Sequence, residues 1–309
     1  MRWTKLGQIF VAAEHGLDFA QSPQTLVCGD RVRIYFSTRQ REANGKFLSQ
    51  IAFVEFDPKL ERLLRVSTKP VISLGKRGTF DEHGIFPINV VRHDGLVYAF
   101  TCGWSRRVSV SVETGIGLAI SRDDGLTFER VGDGPVLSAS LHEPFLVGDG
   151  FVIVRDGIWH MWYIYGTRWI EGAQRERVYK IGYATSPDGW SWTKAGRSLI
   201  ADRLGPDECQ ALPTVLDWGG RYHMVFCYRQ ATDFRQNRDR GYRLGYAWSD
   251  DLQSWTRDDE ALGLGFSETG WDADMMCYPH LFRCGEQVYL LYNGNEFGRH
   301  GFGAARLEP

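Results

Sequence analysis

Self-similarity constrains what this chain can fold into more than any other feature, because repeats of this length admit few architectures. Three segments match one another: GIGLAISRDDGLTFERVGDGPVL (Gly115 to Leu137), KIGYATSPDGWSWTKAGRSLI (Lys180 to Ile200) and RLGYAWSDDLQSWTRDDEALGL (Arg243 to Leu264). Each reads as an apolar strand, a polar turn and a second strand opening on an aromatic, Phe128, Trp192 or Trp255. Gly117, Gly182, Gly245 and Gly303 align at intervals of 65, 63 and 58 residues. A second unit precedes each of these, with a proline, an alternating strand, a Gly or Asp turn and a Tyr- or Trp-rich strand. Its prolines are Pro23, Pro87, Pro144, Pro213 and Pro279, at intervals of 64, 57, 69 and 66.

Five copies of a four-stranded unit therefore fill the chain, and the last is one strand short. The N-terminal RWTKLGQIF matches SWTKAGRSLI in its W-T-K and following Gly, so it supplies the missing strand. The expected fold is all-β: a five-bladed β-propeller with four antiparallel strands per blade, its fifth blade closed by the N-terminal strand. Closure removes the exposed edges that an open sheet would present. Residues 1–309 are then one domain, where length alone suggests two of about 150 residues.

Composition agrees, with 42 aromatics beside 35 Gly. A net charge of −2 argues against a nucleic-acid partner. No apolar run is long enough for a membrane span, and the first ten residues lack a signal-peptide layout. Cys28, Cys102, Cys209, Cys227, Cys277 and Cys284 follow no C-x-x-C pattern and are expected to be reduced, which points to the cytoplasm. Most repeat-position aromatics (Phe128, Tyr163, Trp192, Phe226, Trp255 and Tyr289) read as inter-blade packing. The turns SRDDGLTF, SPDGWSW and SDDLQSW resemble the Asp-box hairpins of sialidases, and their Asp and Ser side chains are expected to bond their own backbone.

In a propeller, residues entering the innermost strands and leaving the second strands meet on one rim, where function is usually placed. The entering segments carry Asp18, Asp81 with Glu82, Glu143, Asp207 with Glu208, and Asp272 with Asp274. Recurrence at one station suggests a ring of carboxylates; solvated capping groups are the alternative. The leaving segments hold Arg39, Trp104, Arg168 with Trp169, Tyr228 with Arg229, and Asn293 with Asn295. The five loops that follow contain 15 Lys and Arg against 7 Asp and Glu. Acids ringed by arginines and aromatics suggest a sugar cleft with a preference for an anionic group, because the Arg fork grips carboxylate or phosphate through two hydrogen bonds. The alternative is that these arginines pair with surface acids.

FDEHGIFPINVV, GIGLAISRDDGLTFE, YRLGYAWSDDLQSW and SETGWDADMMCYPHLF with VYLLYNGNEFGRHGFGAA together resemble a family of five-bladed, glycosidase-like propellers related to glycoside hydrolase families 43 and 32 and often associated with bacterial polysaccharide genes. The resemblance covers the whole chain and implies cleavage of a glycosidic bond by paired carboxylates, one donating a proton and the other attacking or activating water. Carried over by station, Glu143 before Pro144 corresponds to the third-blade general acid and Asp81 to the second-blade Asp. The first blade departs from the pattern, with Gln21-Ser22-Pro23 where an Asp stands, and only Asp18 nearby. Asp81 and Glu208 are the expected acid/base pair, followed by Asp274 and Glu143. Asp18, Gln21, Arg39, His83, Trp104, His142, Arg168, Tyr228, Arg229, Asp272, Asn293 and Asn295 are the expected sugar contacts.

His83, His142, His280 and His300 form no metal-spaced motif, and no metal or cofactor is expected. The run GDGFVIVRDG reads as hairpin turns with no following helix, so phosphate-loop chemistry is not expected. A phosphorylase like those of glycoside hydrolase family 130, in which basic residues hold phosphate and one Asp suffices, is the alternative enzyme. A non-catalytic glycan-binding propeller is the alternative outside enzymes, though its blades would be expected to repeat one site.

Overall fold

The computed structural model describes residues 1–171 and 176–309. β1 (Trp3–Val11) opens the chain and is followed by blade 1, β2 (Gln21–Cys28), β3 (Arg31–Arg41), β4 (Phe47–Phe56) and β5 (Leu63–Val66). Blade 2 is β6 (Ile85–His93), β7 (Leu96–Arg106), β8 (Val112–Ser121) and β9 (Glu129–Arg130). Blade 3 is β10 (Val147–Arg155), β11 (Ile158–Trp169), β12 (Arg177–Ser186) and β13 (Thr193–Lys194). Blade 4 is β14 (Glu208–Trp218), β15 (Arg221–Gln230), β16 (Arg243–Ser249) and β17 (Thr256–Arg257). Blade 5 is β18 (Cys277–Cys284), β19 (Gln287–Asn293) and β20 (Gly301–Leu307), with β1 paired antiparallel to β20 from Trp3 opposite Leu307 to Val11 opposite Gly301. The N-terminal strand thus completes the last blade. The inner strands β2, β6, β10, β14 and β18 pack each against the next, and β18 closes on β2.

Aromatic pairs hold the blades together. Phe128 meets Tyr35 of blade 1 at 5.8 Å, Trp192 meets Phe100 of blade 2 at 5.7 Å, and Trp255 meets Trp162 of blade 3 at 6.0 Å, all edge-on. The aligned glycines leave room for rings. A Cβ on Gly245 would sit 2.5 Å from the Phe226 ring, and one on Gly303 would sit 2.4 Å from Trp271. In the Asp-box turns, Asp188 accepts from the backbone N–H groups of Trp190 and Ser191, and Asp251 from those of Gln253 and Ser254. These bonds draw both carboxyls down to about 2.

The acidic stations belong to the scaffold. Asp81 pairs with Arg130 on β9 at 2.6 Å, Glu143 with Lys194 on β13 at 2.6 Å, Glu208 with Arg257 on β17 at 2.6 Å, and Asp272 with Lys5 on β1 at 2.6 Å. All four carboxylates are buried. In each of these four blades the cation stands two residues beyond an aromatic, Phe128, Trp192, Trp255 or Trp3, and fastens the outermost strand to the entry of the innermost one. Blade 1 lacks this lock: Asp18 has no ion pair among the described residues, and its backbone oxygen accepts from the Arg39 N–H.

Each inner strand carries a β-bulge at its entry, between Gln21 and Gln24, Ile85 and Ile88, Gly148 and Phe151, Ala211 and Thr214, and Cys277 and His280. Four bulges hold a non-glycine residue with positive φ: Ser22 (57°), Asp149 (52°), Leu212 (49°) and Tyr278 (54°). The third-blade station is therefore Asp149-Gly150, and Glu143-Pro144 lies in the loop before it. Likewise GDG at 148–150 is a bulge within β10, while Asp156-Gly157 is the hairpin turn.

Candidate functional site

A cavity of about 630 Å³ opens where the inner strands begin and the second strands end. Its wall is aromatic. Phe86 meets Tyr278 at 5.3 Å, Tyr278 meets Tyr242 at 5.7 Å, and Phe297 closes the row against Tyr242 at 6.2 Å and Phe234 at 6.0 Å. Trp104 adds a further face, stacked on His83 at 5.6 Å. Rings of this kind suit the apolar faces of a sugar.

Among the described residues, five arginines reach the lining, Arg39, Arg177, Arg229, Arg235 and Arg299, against two carboxylates, Asp149 and Glu296. Asp149 is buried and its carboxyl is pushed up to about 7 by loss of solvent; a backbone hydrogen bond from Leu212 and the charge of Arg177 oppose that rise only in part. Glu296 is displaced the other way. Hydrogen bonds from His300 and Arg299, at 3.3 and 3.0 Å, hold it below the usual carboxylate range on the exposed rim. Both residues have positive φ, a backbone strain that clusters at functional positions.

Of the residues expected from sequence, Gln21, Arg39, Trp104 and Arg229 line this cavity. The expected acid/base pair does not. Asp81 and Glu208 lie in separate blades with their oxygens taken: Glu208 accepts from Arg257, Gln210 and the backbone N–H groups of Arg203 and Leu204. Glu143 is held by Lys194 and by Tyr163, whose hydroxyl donates to it at 2.8 Å; Asp272 is held by Lys5 and Tyr292. Carboxylates held in this way anchor strands, and none of the four lines the cavity.

The other expected contacts also lie outside the lining. Asp274 pairs with Arg238 at 3.3 Å on the surface, and Arg168 pairs with Asp207. Asn293 accepts from the Ser22 N–H and donates to Ala20 and Gly301, tying blade 5 to blade 1. Asn295 accepts from the backbone of Asp274 and Met275. Tyr228 lies under Arg257, with the guanidinium 4.3 Å from its ring. His142 is exposed, and Asp18 and His83 flank the rim. His280 is buried in the channel against Thr25 at 2.9 Å, where burial lowers it to about 3.

Asp149, Arg177 and Glu296 were not singled out by the sequence. For Asp149 a signal was present: with Gly150 in place of Pro144, the station intervals become 64, 63, 63 and 66.

Two Mycobacterium tuberculosis proteins, Uncharacterized protein Rv1502 and Uncharacterized protein MT1551, are each 36% identical to the chain over 315 residues, with all of both chains covered. The chain belongs to their family. No family model matches it. Among solved structures, a glycosyl hydrolase from Bacteroides ovatus superposes with a TM-score of 0.73 at 14% identity, covering 98% of this chain and 92% of that one. The β-1,2-mannobiose phosphorylase from Listeria innocua superposes with a TM-score of 0.65 at 12% identity, covering 94% and 90%. The five-bladed propeller of the glycoside hydrolases is thus the fold of this family.

Proposed function

We propose that the protein cleaves a glycosidic bond in the central cavity, with Asp149 as proton donor. The observation that carries this reading is the opposite displacement of the cavity's two carboxylates, Asp149 upward and Glu296 downward. Such a split fits the acid and base roles of glycoside cleavage. The protonated Asp149 carboxyl gives its proton to the glycosidic oxygen as the bond to the anomeric carbon breaks. Glu296, ionised, takes a proton from the water that attacks that carbon. The low-dielectric cavity keeps Asp149 protonated near neutral pH, and the aromatic wall orients the ring. The related fold of a glycosyl hydrolase supports this reading.

The surplus of arginines over carboxylates favours a second reading, in which inorganic phosphate replaces water and Glu296 is not needed as a base; the fold neighbour named as a phosphorylase supports it. A lectin-like array is disfavoured because the five bulge stations differ, as Ser22, Phe86, Asp149, Leu212 and Tyr278. The test is product analysis on an oligosaccharide panel with and without phosphate. Asp149→Asn is expected to abolish release of both free sugar and sugar 1-phosphate while the fold persists, and unchanged turnover would refute the assignment.

A further inference from the structure

Three arginines of the cavity form no ion pair with a carboxylate among the described residues, although the charge of Arg177 reaches Asp149. Arg235 pairs with Glu176 and Arg299 with Glu296, but no ion pair involves Arg39, Arg177 or Arg229. Arg229 is only 3% exposed. Its guanidinium donates to the carbonyls of Gln230 and Ala231 and to the Tyr179 hydroxyl at 3.0 Å, and lies 3.4 Å from the centre of the Phe234 ring. The Nε atoms of Arg229 and Arg177 are both buried with no hydrogen-bond partner. Arg39 lies against Phe19 at 4.6 Å, and its Nε donates to Gln21. Burial also pushes Arg39 down, as expected of a cation with no anion beside it.

A buried guanidinium without a counter-ion is costly, and natural proteins pair such charges. The aromatic faces around Arg39 and Arg229 satisfy part of each cation but carry no charge. These donors come from the end of β3, the start of β12 and the end of β15, so they belong to blades 1, 3 and 4 and line the same cavity as Asp149.

We propose that Arg39, Arg177 and Arg229 form a preformed oxyanion subsite that holds a carboxylate or phosphate ester borne by the sugar itself, so that the substrate is an acidic glycoside. The proposal deepens the glycosidase reading and rests on it for the reaction, but its binding step is tested apart from turnover. An anion attached to the sugar fixes the position of the glycosidic oxygen relative to Asp149. Planar Arg forks suit that task, since they grip an oxyanion through paired hydrogen bonds.

The experiment measures binding to the Asp149→Asn protein, in which turnover cannot interfere, by isothermal titration with D-glucuronate, D-galacturonate, D-glucose 6-phosphate, D-glucose and inorganic phosphate. The acidic sugars, or one of them, are expected to bind at least about tenfold more tightly than glucose, the order of one charge-assisted hydrogen bond. Arg177→Gln and Arg39→Gln are each expected to remove that preference while circular dichroism stays unchanged. Arg229→Lys, which keeps the charge but not the fork, is expected to weaken acidic sugars selectively. Equal binding of glucose and the acidic sugars would overturn the proposal. So would tighter binding of free phosphate than of any acidic sugar, which would assign the subsite to an attacking phosphate. Loss of turnover in Asp149→Asn without any anion preference sinks this inference alone; an anion preference with turnover retained sinks the glycosidase assignment alone.

Discussion

Replacing Asp149 by Asn separates the electrostatic account of the site from its fold. The unfolded chain titrates this carboxyl at its ordinary value of 3.8, while the folded protein holds it at about 7. Below about pH 4 both states keep the proton, and the position adds no pH dependence. Between about 4 and 7 the unfolded chain releases its proton and the folded protein does not, so stability falls as pH rises; above 7 both are ionised and the loss levels off. The interval spans about three pH units at about 1.4 kcal/mol each, so the wild type loses about 4 kcal/mol across it. Asp149→Asn lacks this penalty. Its stability relative to wild type, read from urea midpoints at matched pH, is therefore expected to climb by about 4 kcal/mol from pH 4 to pH 8, because titrations common to both proteins cancel in the difference. In the wild type the same proton is the one delivered to the leaving oxygen, so kcat/KM is expected to fall tenfold per pH unit above about 7. A flat stability difference together with a rate that ignores pH between 6 and 9 would refute both the raised carboxyl and its role as proton donor.

The scaffold reading of the four ion pairs gives further expectations. Lys194→Met leaves Glu143 buried with only Tyr163 as partner and is expected to cost about 3–5 kcal/mol in urea unfolding; an unchanged midpoint would count against the strand lock. Glu208→Gln is expected to lower the unfolding temperature yet leave kcat on a cleaved glycoside near wild type, where loss of turnover in a folded protein would return Glu208 to the catalytic machinery. Gly245→Ala pushes a methyl into the Phe226 ring, where the approach would be 2.5 Å, and is expected to cost about 1–3 kcal/mol in thermal unfolding. Deleting residues 1–11 exposes the edge of β20 and strips Asp272 of Lys5, so light scattering is expected to report more association than in the intact chain at the same concentration.

How far this molecule could be read from its sequence follows from what repeats and what does not. The blades, their strand order and the closing role of β1 were all legible, because most blades solve the same packing problem with the same residues: a glycine facing a ring and an aromatic at the outer strand in four of them, and a turn built on Ser and Asp in three. The acids are equally regular, and the structure places them in ion pairs between strands, away from the cavity lining. Asp81, Glu143, Glu208 and Asp272 recur because four of the five blades fasten the outermost strand to the entry of the innermost one, each with its cation two residues past an aromatic. A substrate needs its acid once. The proposed donor stands at the station that breaks the proline pattern: Asp149 is the one carboxylate among Ser22, Phe86, Leu212 and Tyr278, and Gly150 stands where the other blades place proline. Aligning Pro144 with the other prolines hid that break inside a loop and displaced the third blade by six residues. The same logic explains why the arginines were only partly visible. Basic loops could be counted, but which guanidiniums lack a carboxylate depends on pairings across blades, such as Arg235 with Glu176, that no spacing along the chain encodes. In a ring of near-identical units, recurrence marks what the fold requires of its blades, and the departure, here a buried carboxyl pushed up among arginines that form no ion pair with it, is where we place the chemistry.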